Sequence, residues 1–270
     1  RLVCGGIPDR GHAHAKRSPD LIIQSFLVRP VSMQVFRRPR QGINAVLPGC
    51  VATIGVFDGF HLGHQRILDR VLAESLRLKL PSLVFSFEPT PQEMMRPDHA
   101  PARLMRFRDK VSYLRASDID NFFCPPFDRT LQHYSPEEFI ERLLAATLAV
   151  RHLVIGDDFR FGRGRTGNID DLKAGGRQYG FDVEQVGSVI QGGMRVSSTA
   201  VRAALAAADL PRARELLGRN YRMSGRVVGG RQLGRQLGFP TANIRLNRRQ
   251  SPLAGIFAVR VHGLATSPLD

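Results

Sequence analysis

No run of about 18 consecutive apolar residues occurs anywhere in the chain, which excludes a membrane-spanning helix. Cysteine is scarce as well. Cys4, Cys50 and Cys124 are odd in number and form no CxxC pair, which excludes a disulfide scaffold and a zinc finger and fits a reducing, cytoplasmic compartment. Lysine is nearly missing: four residues (Lys16, Lys79, Lys110 and Lys173) among 39 basic ones. Acid is missing from one end, where only Asp270 follows Glu215. Residues 1–20 mix Gly, His, Pro and charge without the apolar core of a secretory signal. The first methionine is Met33, and residues 1–32 read as a disordered leader or as sequence from upstream of the start.

What remains is ample for a folded protein. At 270 residues, 43% hydrophobic and 23% charged, the chain has room for one large domain or two modest ones. Its formal charge of +15 raises the class of nucleic-acid-binding proteins at once. The excess is uneven: net +3 in residues 1–32, +3 in residues 33–200, and +9 in residues 201–270. Nucleic-acid binding would need a basic face with interleaved aromatics, and no RNA-binding signature is present, so neither nucleic acid nor membrane is an expected partner.

Short β-type runs alternate with helical periodicity between residues 51 and 208. Residues 51–57, 82–87, 119–124, 152–156 and 181–186 read as strands, and residues 62–80, 106–116, 135–148, 172–179 and 198–208 as helices. Ser135-Pro136-Glu137-Glu138 is a capping box with proline at the first helical position. This alternation predicts an α/β fold, a Rossmann-like doubly wound parallel sheet covered on both faces. The expected division is a nucleotidyltransferase domain at 33–208, a linker helix at 209–221 and, from 222 to 270, the first part of a β-barrel domain. There the runs GRVVGG, NIRL and GIFAVRV are broken by Gly and Pro.

The sharpest feature is Gly55-Val56-Phe57-Asp58-Gly59-Phe60-His61-Leu62-Gly63-His64. A buried strand feeds a glycine-flanked turn and a helix starts at once. Helix N-termini attract phosphate, and Gly63 leaves the backbone open to approach. Two imidazoles three residues apart can donate to charge developing at a phosphorus under attack. The plain alternative is a capping turn with two solvated histidines. The pair also suits a metal, but no third ligand is spaced to help. Three further segments stand out. Phe85-Ser86-Phe87-Glu88-Pro89-Thr90-Pro91 is a strand end whose aromatics are either core or a stacking platform. Gly156-Asp157-Asp158-Phe159-Arg160-Phe161-Gly162 leaves a strand end where open α/β sheets bind ligands, or is a flexible charged loop. Ser197-Ser198-Thr199 caps an Ala-rich helix or binds phosphate there, with Arg202 one turn on.

Taken in order, these motifs resemble the prokaryotic bifunctional riboflavin kinase / FMN adenylyltransferase (FAD synthetase) family, from about residue 33 to 261. The resemblance implies an HxGH-type domain that makes FAD and pyrophosphate from FMN and ATP with Mg²⁺. It implies His61, His64 and Arg202 as catalytic residues. It implies Gly55, Phe57, Asp58, Gly63, Asp157, Ser197, Ser198 and Thr199 at ATP, and Phe85, Pro89, Asp158 and Phe161 at the flavin. The run Gly234–Asn243 resembles the kinase ATP loop, which puts Thr241 and Asn243 at Mg²⁺ and phosphate. Thr90 stands where the family often has His, and so does Gly229. The family's kinase base is a Glu much further on, so the riboflavin-kinase-like barrel is expected to be incomplete in this chain. Rival readings are an HxGH enzyme with another acceptor, such as a pantetheine or nicotinamide nucleotide, a nucleic-acid-binding protein, and an inactive fragment.

Overall fold

A computed structural model describes residues 33–38, 49–230, 238 and 241–263. The proposed leader at 1–32, Cys4 and most of the kinase-like loop lie outside the described residues. Residues 32–270 form one compact unit.

The core is a six-stranded parallel sheet. Its strands are β1 (Gln34–Phe36), β2 (Cys50–Ile54), β3 (Ser82–Phe85), β4 (Asn121–Phe123), β5 (Val150–Gly156) and β6 (Asp182–Val186), in the spatial order β1-β4-β3-β2-β5-β6. Every residue of β2 is buried, as expected for a central strand that is covered on both faces. Alternate side chains go to opposite faces. Cys50, Ala52, Ile54, Leu83, Phe85, Leu153 and Ile155 enter one apolar cluster, while Val51, Val84, Phe122 and Val154 enter the other. The second face is covered by α1 (Leu62–Leu78), through Leu68 and Val71, and by α2 (Phe107–Arg115), through Leu114. The first is covered by the capping-box helix Pro136–Glu138, which continues as π-helical Phe139–Thr147, and by α3 (Ile169–Tyr179). The capping box forms as read, with Ser135 and Glu138 bonding reciprocally. A third cluster joins α4 (Ser198–Ala206) and α5 (Leu210–Leu217) to Leu104 and Leu62.

The chain leaves β2 toward β3 on one side and later returns to β5 on the other. The carboxyl ends of β2 and β5 therefore flank the crevice where such sheets bind ligands. Beyond residue 222, Arg226–Val228 and Asn243–Arg245 pair as an antiparallel ladder. The expected third run, residues 255–261, is not a strand. Ile256, Val259 and Val261 are exposed, and among the described residues the run has no neighbouring strand whose ladder it could join.

Candidate active site

The turn after β2 is held in a sparsely populated conformation. Phe57 and Phe60 have φ of 48° and 41°, and Gly59 lies between them at 90°. A side chain at Gly59 would also meet Leu104, at 2.7 Å. This backbone delivers His61 to the N-cap of α1, where its Nδ1 accepts the His64 N–H at 3.3 Å. With Nδ1 accepting, the proton of the neutral ring sits on Nε2, free to donate. The two rings stack with centroids 3.6 Å apart. Phe57, fully buried, lies behind His64 at 5.1 Å and forms a floor beneath the pair.

Both histidines are neutral at neutral pH. Burial, reinforced by Arg202, Arg195 and Arg219, pushes His61 down to about 4. Burial, with His61, Lys110 and Arg219 adding to it, pulls His64 well below the usual imidazole range. The Nδ1 of His64 is buried and finds no partner among the described residues.

A second helix end meets the first. Ser197 caps α4 by accepting the Ala200 N–H at 3.1 Å, and the Ser198 hydroxyl donates to the Asp58 carbonyl at 2.8 Å. Thr199, in the first turn, is exposed. A side chain at Gly63 would crowd the His61 ring at 3.2 Å and approach the Val196 carbonyl at 3.7 Å, so glycine keeps the gap between the two helix ends open. Arg202 donates to the Ala102 carbonyl at 2.7 Å and to the Asp58 carboxylate at 2.6 Å. His61, Gly63, His64, Asp58, Ser197, Ser198 and Arg202 thus come together.

Several expected contacts fall elsewhere. The Asp58 carboxylate is buried and receives the Leu104 and Met105 N–H groups at 3.0 and 2.9 Å besides Arg202, so it orients the arginine. Asp157 is likewise taken up, by the Ser188 N–H and hydroxyl and by Arg195, and the Ser188 hydroxyl holds its carboxyl below the usual range. Arg195 also reaches Asp158, which is otherwise exposed. Phe85 and Phe161 are core residues. Phe85 packs on Phe87, Phe123 and Phe139, and Phe161 on Phe139 and Phe159. For Phe85 this is the core alternative that its strand-end position offered. Phe159 keeps a partly exposed ring, and Pro89 is exposed. Gly55 lets the Phe57 ring fold back, at 3.1 Å from where a side chain would start. Thr90 caps the short helix Pro91–Met95 in a box with Glu93. Thr241 and Asn243 are both exposed, Asn243 at the start of its strand.

Two basic residues beneath the site had no signal in the sequence. Lys110 is buried, with its ammonium on the Val56 carbonyl at 2.5 Å and the Ser86 hydroxyl at 3.0 Å, and burial lowers its pKa. It ties the exits of β2 and β3. Arg219 binds the Gly59 and Phe60 carbonyls. Backbone partners 54 and about 160 residues away leave no motif to read.

Residues 43–200 match the family model described as FAD synthetase, and residues 217–268 match the model described as riboflavin kinase. The chain is 48% identical over 221 residues to the bifunctional riboflavin kinase/FMN adenylyltransferase of Escherichia coli (strain K12), covering 82% of this chain and 71% of that protein. The Haemophilus influenzae protein of the same name is 48% identical over 218 residues, covering 81% and 71%. Among solved structures, one titled macrolide-efflux protein from Streptococcus pneumoniae superposes with a TM-score of 0.67 at 23% identity, over 80% of this chain and 70% of that one, a likeness of fold.

Proposed function

Since the chain belongs to the family of bifunctional riboflavin kinase/FMN adenylyltransferases, we propose that the crevice between the two helix ends is where it transfers AMP from ATP to FMN. The products are FAD and pyrophosphate. The observation that carries the placement is the meeting of the His61–His64 cap with the Ser197 cap at the carboxyl end of β2.

The triphosphate lies across the free N–H groups at the starts of α1 and α4, where both helix dipoles favour it. Gly63 admits it to the backbone, and Ser197, Ser198 and Thr199 take the outer phosphates together with Arg202. The FMN phosphate, a dianion near neutral pH, attacks the α-phosphorus in line. The new P–O bond forms as the bond to the β-phosphate breaks, and the electron pair leaves with pyrophosphate. No side chain need remove a proton. His61, through Nε2–H, and His64 donate to the charge that spreads over the transferring phosphoryl group. Asp58 contributes by holding Arg202 in register. Asp157 and Asp158 shape the nucleotide edge through Arg195. At the flavin, Pro89 and the ring of Phe159 are the available surfaces, while Phe85 and Phe161 support them from the core.

Among the described residues no group of three or more His, Cys, Asp or Glu could hold a metal ion. We therefore write Mg²⁺ as part of the MgATP substrate, carried by phosphate oxygens and water. We divide the chain into a nucleotidyltransferase domain at 33–208, a linker helix at 209–221 and kinase-like residues from 222, with residues 1–32 as a leader. Thr241 and Asn243 remain the proposed phosphate and Mg²⁺ contacts of the kinase part. No acid stands between Glu215 and Asp270 to take a proton from a riboflavin hydroxyl. Neither nucleic acid nor membrane is a proposed partner, and the free buried thiols of Cys50 and Cys124 favour a reducing, cytoplasmic compartment.

Incubation of the purified chain with MgATP and either FMN or riboflavin tests this reading. FAD from FMN, and no FMN from riboflavin, is the expected outcome. No product from FMN would overturn it.

A further inference from the structure

The turn at residues 57–60 carries the site, and its left-handed aromatic residues persist only where the surroundings over-determine them. Part of those surroundings comes from outside the FAD synthetase match. The Arg219 Nη2 donates to the Gly59 carbonyl at 2.6 Å, and its Nη1 to the carbonyls of Phe60 and Leu217 at 2.9 and 3.0 Å. Gln65, within α1, donates to the same two carbonyls, Phe60 and Leu217, at 2.8 Å each. The guanidinium stands 4.8 Å over the Tyr113 ring, which stacks on Phe60 at 4.3 Å. Among the described residues nothing else donates to the Gly59 carbonyl. The Phe60 carbonyl immediately precedes the His61 cap, so a shift of this turn moves both imidazoles relative to α4.

We infer that Arg219, which lies in the linker and within the riboflavin-kinase match, is a positioning residue for adenylyl transfer, so that the transferase site is completed from beyond the FAD synthetase match. This rests on the placement of ATP proposed above. Arg219 touches no reacting atom. It fixes the backbone from which His61 and His64 are presented, and small misplacements of such groups are expensive in rate. Its planar fork spans two carbonyls at once, which an ammonium cannot reproduce.

The test compares the wild-type chain with Arg219→Met, Arg219→Lys and, as a control on the same segment, Arg226→Met, whose side chain is exposed. FAD formation, the ATP dissociation constant by calorimetry, and the thermal midpoint are measured for each. Arg219→Met is expected to lower kcat by about tenfold or more with KM for FMN near wild type, Arg219→Lys to fall between, and Arg226→Met to match wild type. Wild-type kcat and ATP affinity in Arg219→Met would overturn the inference. If Arg219→Met does not fold, Arg219→Lys decides, an intermediate kcat supporting the role and a wild-type one overturning it. If even the wild-type chain makes no FAD, the functional reading fails, and the inference is then read from ATP binding alone. A tenfold weaker constant in Arg219→Met upholds it and an equal one overturns it.

Discussion

His61 has two duties that depend on one nitrogen: its Nδ1 caps α1, and by accepting there it leaves the proton on Nε2 for the phosphate. Protonating Nδ1 would remove the cap and bury a cation beside Arg202. Burial first, and then the nearby Arg202, Arg195 and Arg219, hold its pKa near 4 against an ordinary 6.5. The sign follows directly. As pH falls from about 6.5 toward 4 the unfolded chain takes up this proton before the folded one, so the stability His61 contributes is full above 6.5 and is lost across that window. The loss is on the order of 3 kcal/mol. Urea unfolding at several pH values should therefore show a shallower acid slope in His61→Gln than in wild type, and identical slopes would refute the assignment. His64 is the cleaner probe of chemistry. Its side chain accepts no cap and its Nδ1 has no hydrogen-bond partner among the described residues, so truncation breaks ring packing on His61 and Phe57 but no hydrogen bond made by that nitrogen. His64→Ala should lower FAD formation about a hundredfold or more, and near-normal turnover would sink the proposed mechanism.

Among the elements, the sheet and its two motif-bearing turns were legible because each depends on local signals: apolar runs, helical spacing, capping boxes and glycines. Strand ends shifted by one to three residues, as where the run at 51–57 resolves into Cys50–Ile54 followed by the left-handed turn. What was not legible depended on distant partners. The run at 255–261 has β-type residues but pairs with no strand among the described residues, and the amides of Leu104 and Met105 that occupy the Asp58 carboxylate lie 46 and 47 residues away. This carboxylate is the link between the two helix ends. It is buried, it anchors the 104–105 backbone, and it pairs with Arg202 on α4. Asp58→Asn leaves the arginine without its counter-charge and presents an amide to two N–H groups. A loss of about 3 kcal/mol in chemical unfolding is expected, together with a raised KM for ATP. Ser198→Ala, which removes only the hydroxyl bond to the Asp58 carbonyl, should cost about 1 kcal/mol. A Ser198→Ala loss equal to that of Asp58→Asn would mean that the carboxylate is not the main link.

For the molecule as a whole, the charge of +15 looks different once its arginines are placed. In the +9 segment several of them donate to backbone carbonyls across the fold. Arg202 reaches Ala102, Arg219 reaches Gly59 and Phe60, and Arg249 reaches Pro97. Arg248 grips the Arg103 and Leu104 carbonyls beside Tyr221, whose hydroxyl donates to Leu104 as well. A fork with several donors suits this work better than an ammonium, which gives a physical use to part of the excess of arginine over lysine. These four guanidinium groups are engaged by the protein itself, which leaves them less available to a polyanion. Nonspecific binding of duplex DNA by a basic protein typically has a Kd of about 10⁻⁴ to 10⁻⁶ M at physiological salt and weakens steeply as salt rises. Fluorescence polarisation of a labelled mixed-sequence duplex should accordingly show no saturation at about 10 μM protein in about 0.15 M salt. Saturable binding near 1 μM that survives this salt would restore a nucleic-acid role.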